Sequence, residues 1–338
     1  MNNLQYNVNL EKLCLTLQLG DLISSPEVLT GGLLHKTYAI ETTQGKYAIK
    51  ALNPQIMSRT TALQNYINSE KIANIAANNL PALPAKQFNE TSLQHLDGQY
   101  YLVFAWVDGS SLKANEINLV HCEKMGAILA DIHMMDFSDL NISKDNTDAT
   151  KLTEWNDYLQ HGQMNHANWV NLMQETIDLL HDWTRRSNNA AQQLASNTVI
   201  SHLDLDSKNV LWNRFVPVLI DWEASGHINP MQSLTETAIY WSENESGLLD
   251  HDRFSAFIRG YKSRFGPIQT DWRIVLENGF LGMLGWLEYN LKRSLWIECA
   301  DEQEQQLGTE QVIETINALK RYAARMPEIE RWLDDESG

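Results

Sequence analysis

Cysteine is scarce in this chain. Three occur among 338 residues, Cys14, Cys122 and Cys299. They are far apart and odd in number, so neither a zinc spacing nor a disulfide framework is visible. They fit a reducing compartment. Long apolar runs are missing too. No stretch approaches the ~20 residues of a membrane-spanning helix. The opening Met1-Asn2-Asn3-Leu4-Gln5-Tyr6 lacks the basic start and apolar run of a secretory signal. The expectation is a soluble, cytoplasmic protein with no membrane partner. Basic side chains are in the minority, 26 Lys and Arg against 43 Asp and Glu, for a formal net charge of −17. Nucleic-acid binders draw affinity from neutralising phosphates with a basic face, and no such patch exists here. No nucleic-acid partner is expected. An acidic field favours cationic partners and solubility.

What is present is an ordinary globular composition, 43% hydrophobic and 20% charged, in a chain long enough for about two domains. Leu10 to Leu19 reads as a short amphipathic helix stopped by Gly20. Val28 to Lys50 reads as strands. Thr30-Gly31-Gly32 is a turn, and Thr37-Tyr38-Ala39-Ile40 and Lys46-Tyr47-Ala48-Ile49-Lys50 flank a second turn at Thr42-Thr43-Gln44-Gly45. Helical periodicity follows over Thr60 to Asn78, ended by Pro81 and Pro84. Gln99 to Phe104 is aromatic and β-branched, hence a strand. After residues 105–109 the character changes. Val120–Met134, Trp155–Trp183, Leu248–Phe265 and Ile274–Ile297 read as helices, interrupted only by short apolar runs between Val199 and Asp221. The organisation is a small β-rich lobe, a boundary near 105–109, and a larger α-rich lobe.

The stretch that carries chemistry is His202-Leu203-Asp204-Leu205-Asp206-Ser207-Lys208-Asn209-Val210-Leu211-Trp212. An apolar run, Val216 to Ile220, follows and ends in Asp221-Trp222-Glu223. Phosphoryl transfer needs a carboxylate to orient and deprotonate the acceptor hydroxyl, and Mg²⁺ held against the nucleotide phosphates. Mg²⁺ takes hard oxygen ligands, usually one or two from the protein. Asp204 near Asn209, with Asp221 returning on a hairpin, supplies a base and two such oxygens.

His202-x-Asp204-x(4)-Asn209 followed by Ile220-Asp221-Trp222-Glu223 resembles the aminoglycoside phosphotransferase family of kinase-like enzymes, including the Asn-Val-Leu-Trp continuation. The resemblance implies an α+β, bilobal protein-kinase-like fold and an ATP- and Mg²⁺-dependent phosphotransferase with an alcohol group as acceptor. It implies a nucleotide-binding lobe over residues 1–104, a hinge at 105–109, and a catalytic and acceptor-binding lobe over 110–338. Asp204 would be the base, Asn209 and Asp221 would bind Mg²⁺, and His202 would brace the loop. Tyr47-Ala48-Ile49-Lys50 matches the strand that carries the phosphate-binding lysine, and Glu70 in the first long helix would orient it. Phe104 would back the adenine, and the backbone of Ala105 to Val107 would hydrogen-bond it. Leu129-Ala130-Asp131-Ile132-His133 resembles the family's L-A-x-L-H helix, with His133 structural.

The chain departs from the family in three places. The turn Gly31-Gly32-Leu33-Leu34-His35-Lys36-Thr37 resembles G-G-x-x-N, with His35 where Asn is common, so Gly31 and Gly32 are expected to grip phosphate more loosely. Ser233-Leu234-Thr235 stands where an acidic D-[IL]-A motif is common. Lys208, between base and metal ligand, would stabilise the transferring phosphoryl group or be a solvated loop residue. No A-P-E anchor follows Asp221, which argues for a small acceptor. Glu236, Trp241, Glu243, Glu245, Trp286, Glu288 and Tyr289 are candidates to contact it, although Trp and Tyr at helical spacing also fit a core. An aminoglycoside or amino sugar heads the acceptor classes. A metabolic alcohol such as choline, homoserine or a sugar is a rival, and a catalytically silent nucleotide-binding pseudokinase a third reading.

Overall fold

The computed structural model describes residues 5–29, 34–142 and 153–337. Gly31 and Gly32 lie outside them, as does most of the polar loop expected over Asn141 to Thr150. The first elements are α1 (Leu10–Thr16), β1 (Glu27–Leu29), β2 (Lys36–Thr42), β3 (Gly45–Ala51), α2 (Pro54–Met57) and α3 (Ala62–Ala76). Then come β4 (Gln94–Leu96), β5 (Gln99–Ala105), α4 (Leu119–Met134), α5 (Trp155–Met164), α6 (Val170–Leu194), β6 (Val199–Ser201), β7 (Val210–Asn213) and β8 (Val216–Leu219). The chain ends with β9 (Gly226–Ile228), α7 (Pro230–Ser242), α8 (His251–Phe265), α9 (Trp272–Asn278), α10 (Phe280–Ser294) and α11 (Glu302–Ser337). A β-sheet N-terminal region and a helical C-terminal region are therefore present, as the sequence implies.

Contacts divide the chain into two compact units. One comprises Met1–Lys113, Met135–Ile142 and His202–Gly226; the other comprises Ala114–Met134, Ser143–Ser201 and His227–Gly338. The chain returns to the first unit for the stretch that carries Asp204 and Asp221. Backbone hydrogen bonds explain the return. Leu219 of β8 donates to the Pro81 carbonyl at 2.7 Å, and Leu83 donates to the Leu219 carbonyl at 2.8 Å.

The first unit is built on an antiparallel sheet of order β1-β2-β3-β5-β4. Side chains alternate between its faces. Ile49, Ala51, Tyr101 and Val103 point to one face and are covered by Leu10, Leu13 and Cys14 of α1. Leu102 points to the other, where it packs with Leu52, Ile56 and Tyr66 of α3. Lys50 pairs with Leu102 across the ladder and so shares this second face. The alternation thus sends one charged side chain out of β3 on the side of α3.

In the second unit α4 and α8 pack backbone to backbone. A Cβ on Gly126 would fall 2.0 Å from the Phe257 carbonyl oxygen, and one on Gly260 would fall 2.0 Å from the Glu123 carbonyl oxygen. Only glycine permits this approach. His133 closes α4. Its Nδ1 lies 2.8 Å from the Tyr261 hydroxyl, and its Nε2 lies 3.0 Å from Ser201 Oγ and 3.2 Å from Ser233 Oγ. Burial pushes its pKa down to about 3, so it is a neutral structural tie. Ser233 Oγ lies 2.9 Å from Ser201 Oγ at the end of β6, the strand leading into His202.

The single helix expected over Trp155 to Trp183 is two helices. Residues 165–169 turn between them, with His166 in the left-handed region at φ 52° and Ala167 donating to the Gly162 carbonyl. Likewise Ile274 to Ile297 is split between α9 and α10. The long α11, which contains Pro327, carries no sequence expectation.

Candidate active site

The segment after β6 begins with His202, which is fully buried. Its Nε2 donates to the Ile220 carbonyl at 3.0 Å, and its Nδ1 accepts from the Asp204 amide at 3.4 Å. Burial lowers its pKa to about 4, so the ring is a neutral bridge between the strand that enters the loop and the strand that leaves it. Leu203, next in sequence, holds φ 64°, and Asp221 holds φ 62°, ψ 58°. Two non-glycine residues in the left-handed region cost roughly 1–3 kcal/mol each and tend to mark functional sites. Here they stand beside the expected base and at the expected metal ligand.

Asn209 joins these residues. Its Nδ2 donates to Asp204 Oδ2 at 2.7 Å and to the Asp204 carbonyl at 2.8 Å. The amide orientation is thereby fixed, and Oδ1 is its remaining acceptor. The hairpin of β7 and β8, with Val210 paired to Leu219, brings Ile220 back so that its amide donates to the Asn209 carbonyl at 3.0 Å. Asp221 follows at once. Lys208 Nζ lies 3.4 Å from Asp204 Oδ1 and 3.7 Å from Asp206 Oδ2, with half of its side chain exposed. Burial raises the Asp204 pKa, opposed by the Lys208 charge and the Asn209 hydrogen bond.

Lys50 meets this segment directly. Its Nζ lies 2.7 Å from Asp221 Oδ1 and 3.0 Å from Glu223 Oε2. Burial works against its charge, but the two carboxylates outweigh it and hold its pKa above the ordinary lysine value. Burial likewise opposes ionisation of Glu223, and Lys50 outweighs it, so the Glu223 pKa falls. Such charge-assisted contacts are among the stronger hydrogen bonds available to a protein.

Glu70 differs from its expected place. Lys50 pairs with Asp221 and Glu223 instead, and Glu70 Oε2 accepts the Ala85 amide at 2.8 Å. The reason is local. That buried amide needs an acceptor, and burial without a direct ion pair raises the Glu70 pKa to about 7.

Phe104 is partly buried on β5, opposite Ala48. Ala105 ends the ladder opposite Tyr47, and Trp106 donates to the Lys46 carbonyl at 3.2 Å. Val107 lies beyond the ladder, and no hydrogen bond among the described residues engages its backbone. Lys50, Glu70, Phe104, Ala105, Val107, Asp204, Lys208, Asn209 and Asp221 all belong to the first unit.

Glu223 and His35 are the residues that sequence reasoning left without a role. Glu223 stands two residues from Asp221 across a 3-10 turn at Trp222–Ala224, and this acidic i, i+2 pair was the available signal. The acceptor candidates lie in the second unit. Trp241 is fully buried and belongs to the core. Glu243 faces Arg325 at 3.5 Å, and Glu288 accepts from Thr153 and Tyr158. Among the described residues Glu236 accepts the Gln232 amide alone, at 2.9 Å, and burial raises its pKa to about 7. Among the described residues no helix is long and apolar enough to cross a membrane.

Solved structures share this fold. A spectinomycin phosphotransferase in complex with ADP and spectinomycin aligns with a TM-score of 0.66 at 11% identity, over 94% of this chain and 99% of that one. The Plasmodium vivax ethanolamine kinase aligns at 0.58 and 15%, over 88% of this chain and 83% of that one. An amicoumacin kinase in complex with AMP-PNP, Ca²⁺ and its ligand aligns at 0.58 and 11%, over 93% and 94%. These likenesses establish the protein-kinase-like fold. No curated protein sequence matches the chain. The model of the phosphotransferase enzyme family matches residues 26–266, a span that holds every residue of the cluster around Lys50 and Asp204, and the chain belongs to that family of small-molecule kinases.

Proposed function

We propose that this protein transfers the γ-phosphoryl group of ATP to a hydroxyl of a small, cationic acceptor, with an aminoglycoside or other amino sugar as the leading class. The carrying observation is the pairing of Lys50 with Asp221 and Glu223 beside an Asp204 that Asn209 holds by two hydrogen bonds.

The donor set suits Mg²⁺. Asp221 has Lys50 on Oδ1 and no protein partner on Oδ2 among the described residues, and the Asn209 amide is oriented with Oδ1 left over. Both are hard oxygens of the kind Mg²⁺ takes. When bound by Asn209 and Asp221, the ion would neutralise charge on the nucleotide phosphates. Lys50 neutralises phosphate oxygens from the β3 side. Phe104 backs the adenine, and the Ala105 and Val107 backbone hydrogen-bonds its edge.

Asp204 accepts the proton of the acceptor hydroxyl as that oxygen bonds to the γ-phosphorus and the bond to the bridging oxygen of ADP breaks. Its raised pKa makes it a better base than an ordinary aspartate. Lys208, 3.4 Å from Asp204, offers a mobile ammonium to the transferring group. A cationic acceptor fits the net charge of −17.

The test is ATP turnover against a panel of aminoglycosides, amino sugars, choline, ethanolamine, homoserine and simple sugars, with Asp204→Ala as control. Transfer to an amino sugar that Asp204→Ala abolishes is the expected result. Transfer to choline or ethanolamine moves the acceptor to a metabolic alcohol. No transfer to any acceptor, with Asp204→Ala identical to wild type, overturns the reading.

A further inference from the structure

His35 stands where the family commonly has Asn. It is 8% exposed and directly precedes β2. Its Nδ1 accepts the backbone amide of Asn53 at 2.9 Å. A backbone N–H can only donate, so the neutral ring carries its proton on Nε2. Nε2 lies 2.6 Å from the Tyr66 hydroxyl and 3.3 Å from Glu223 Oε2. The ring has one Nε2–H, which reaches the Tyr66 hydroxyl oxygen as its nearer acceptor and Glu223 Oε2 as a second, longer branch, since a carboxylate cannot donate. That oxygen is also the one Lys50 holds, at 3.0 Å. Glu223 Oε2 is therefore approached by two buried donors, Lys50 Nζ at 3.0 Å and the shared His35 Nε2–H at 3.3 Å. Glu70 accepts the Ala85 amide on Oε2 and forms no ion pair with Lys50 among the described residues.

We infer that His35 is a positioning residue for nucleotide binding: its Nε2–H orients Glu223, and Glu223 in turn aims the Lys50 ammonium at the nucleotide phosphates. The inference rests on the proposed role of Lys50 and extends it. In this chain the lysine is oriented from His35, just before β2, and from the turn after Asp221, rather than by an ion pair with Glu70 on α3. Asn53, the N-cap of α2 through its bond to Gln55, and Tyr66 on α3 lock the imidazole so that only one edge faces Glu223.

Two substitutions separate the edges of the ring. His35→Asn keeps an acceptor near the Nδ1 position for Asn53 and loses the donor to Glu223. His35→Gln keeps an amide donor near the Nε2 position and loses the acceptor. Binding of AMP-PNP with Mg²⁺ is measured by calorimetry, and stability by the urea midpoint. His35→Asn is expected to keep the wild-type midpoint and to weaken binding about tenfold, the scale of one charge-assisted contact. His35→Gln is expected to lower the midpoint and bind within about threefold of wild type. In a Glu223→Gln background, His35→Asn should cost no further affinity, because coupled residues are not additive. Equal binding by His35→Asn and wild type, or a loss of affinity that simply follows the midpoint in both variants, overturns the inference. Lys50→Met is measured alongside. If it binds AMP-PNP as wild type does, the nucleotide role of Lys50 fails and takes this inference with it. If it loses binding while His35→Asn does not, only the inference falls.

Discussion

Asn209 holds Asp204 by two hydrogen bonds from a single amide nitrogen, 2.7 Å to Oδ2 and 2.8 Å to the backbone carbonyl. The carboxylate is thus oriented by a neighbour five residues on, inside one loop. Asp204→Asn keeps the shape and removes the base. The turnover number should fall by about 10²–10⁴, the usual contribution of a positioned base, while AMP-PNP affinity stays close to wild type. Steady-state kinetics with the best acceptor of the panel, with calorimetry in parallel, checks both halves. A large loss of nucleotide affinity would instead make Asp204 a binding residue.

The place of Glu70 leads to a contrast between two charged residues that family resemblance would couple. Lys50→Met removes the ammonium shared by Asp221 and Glu223 and should weaken AMP-PNP binding about tenfold or more, as for loss of a buried charge-assisted contact. Glu70→Gln keeps a carbonyl oxygen for the Ala85 amide and removes a carboxylate that forms no ion pair with Lys50 among the described residues. It should bind within about threefold of wild type. Equal damage from both substitutions would restore Glu70 as the lysine's orienting partner.

Much of this site is legible in the sequence, for definable reasons. Asp204, Asn209 and Asp221 lie within one short stretch, where turn and hairpin geometry follow from sequence spacing. The strand ending in Lys50 was legible from its apolar flanks. The partner of Lys50 was not, because Glu70, Asp221 and Glu223 are all carboxylates at great sequence distance from it. Which one it meets depends on tertiary packing, which sets Asp221 and Glu223 at Lys50 and Glu70 at the Ala85 amide. His35 was visible only as a departure from a pattern, since its value lies in contacts to Asn53, Tyr66 and Glu223. In the helical region, periodicity marked the helices but missed the break at residues 165–169. A single left-handed residue, His166, makes that break without glycine or proline to announce it.

Gly126 and Gly260 test the packing of the second unit independently of catalysis. A methyl group on Gly260 would sit 2.0 Å from the Glu123 carbonyl oxygen, and a backbone oxygen cannot swing aside as a side chain can. Gly260→Ala should destabilise the protein by about 3 kcal/mol, the upper part of the range for overpacking. The urea midpoint of Gly260→Ala against wild type reads this directly. Gly282→Ala, where an added Cβ meets nothing within 4 Å, should leave the midpoint unchanged or slightly raised, since alanine favours a helix over glycine.

Glu236 links the ionisation state of the second unit to pH. Burial raises its folded pKa from 4.5 to about 7, and among the described residues its carboxylate has the Gln232 amide alone as a hydrogen-bond partner. A raised folded pKa means that the folded protein binds more protons than the unfolded chain between these values. The stability this group contributes is therefore full below pH 4.5 and is lost as pH rises through about 7. Some of its surface is still exposed, so solvent reduces the effect to about 1–3 kcal/mol above neutrality. Glu236→Gln preserves an acceptor for Gln232 and removes the ionisation. Its thermal midpoint should match wild type at pH 5 and exceed it at pH 8.5. Equal midpoints at both values would mean that water reaches the carboxylate freely in the folded protein.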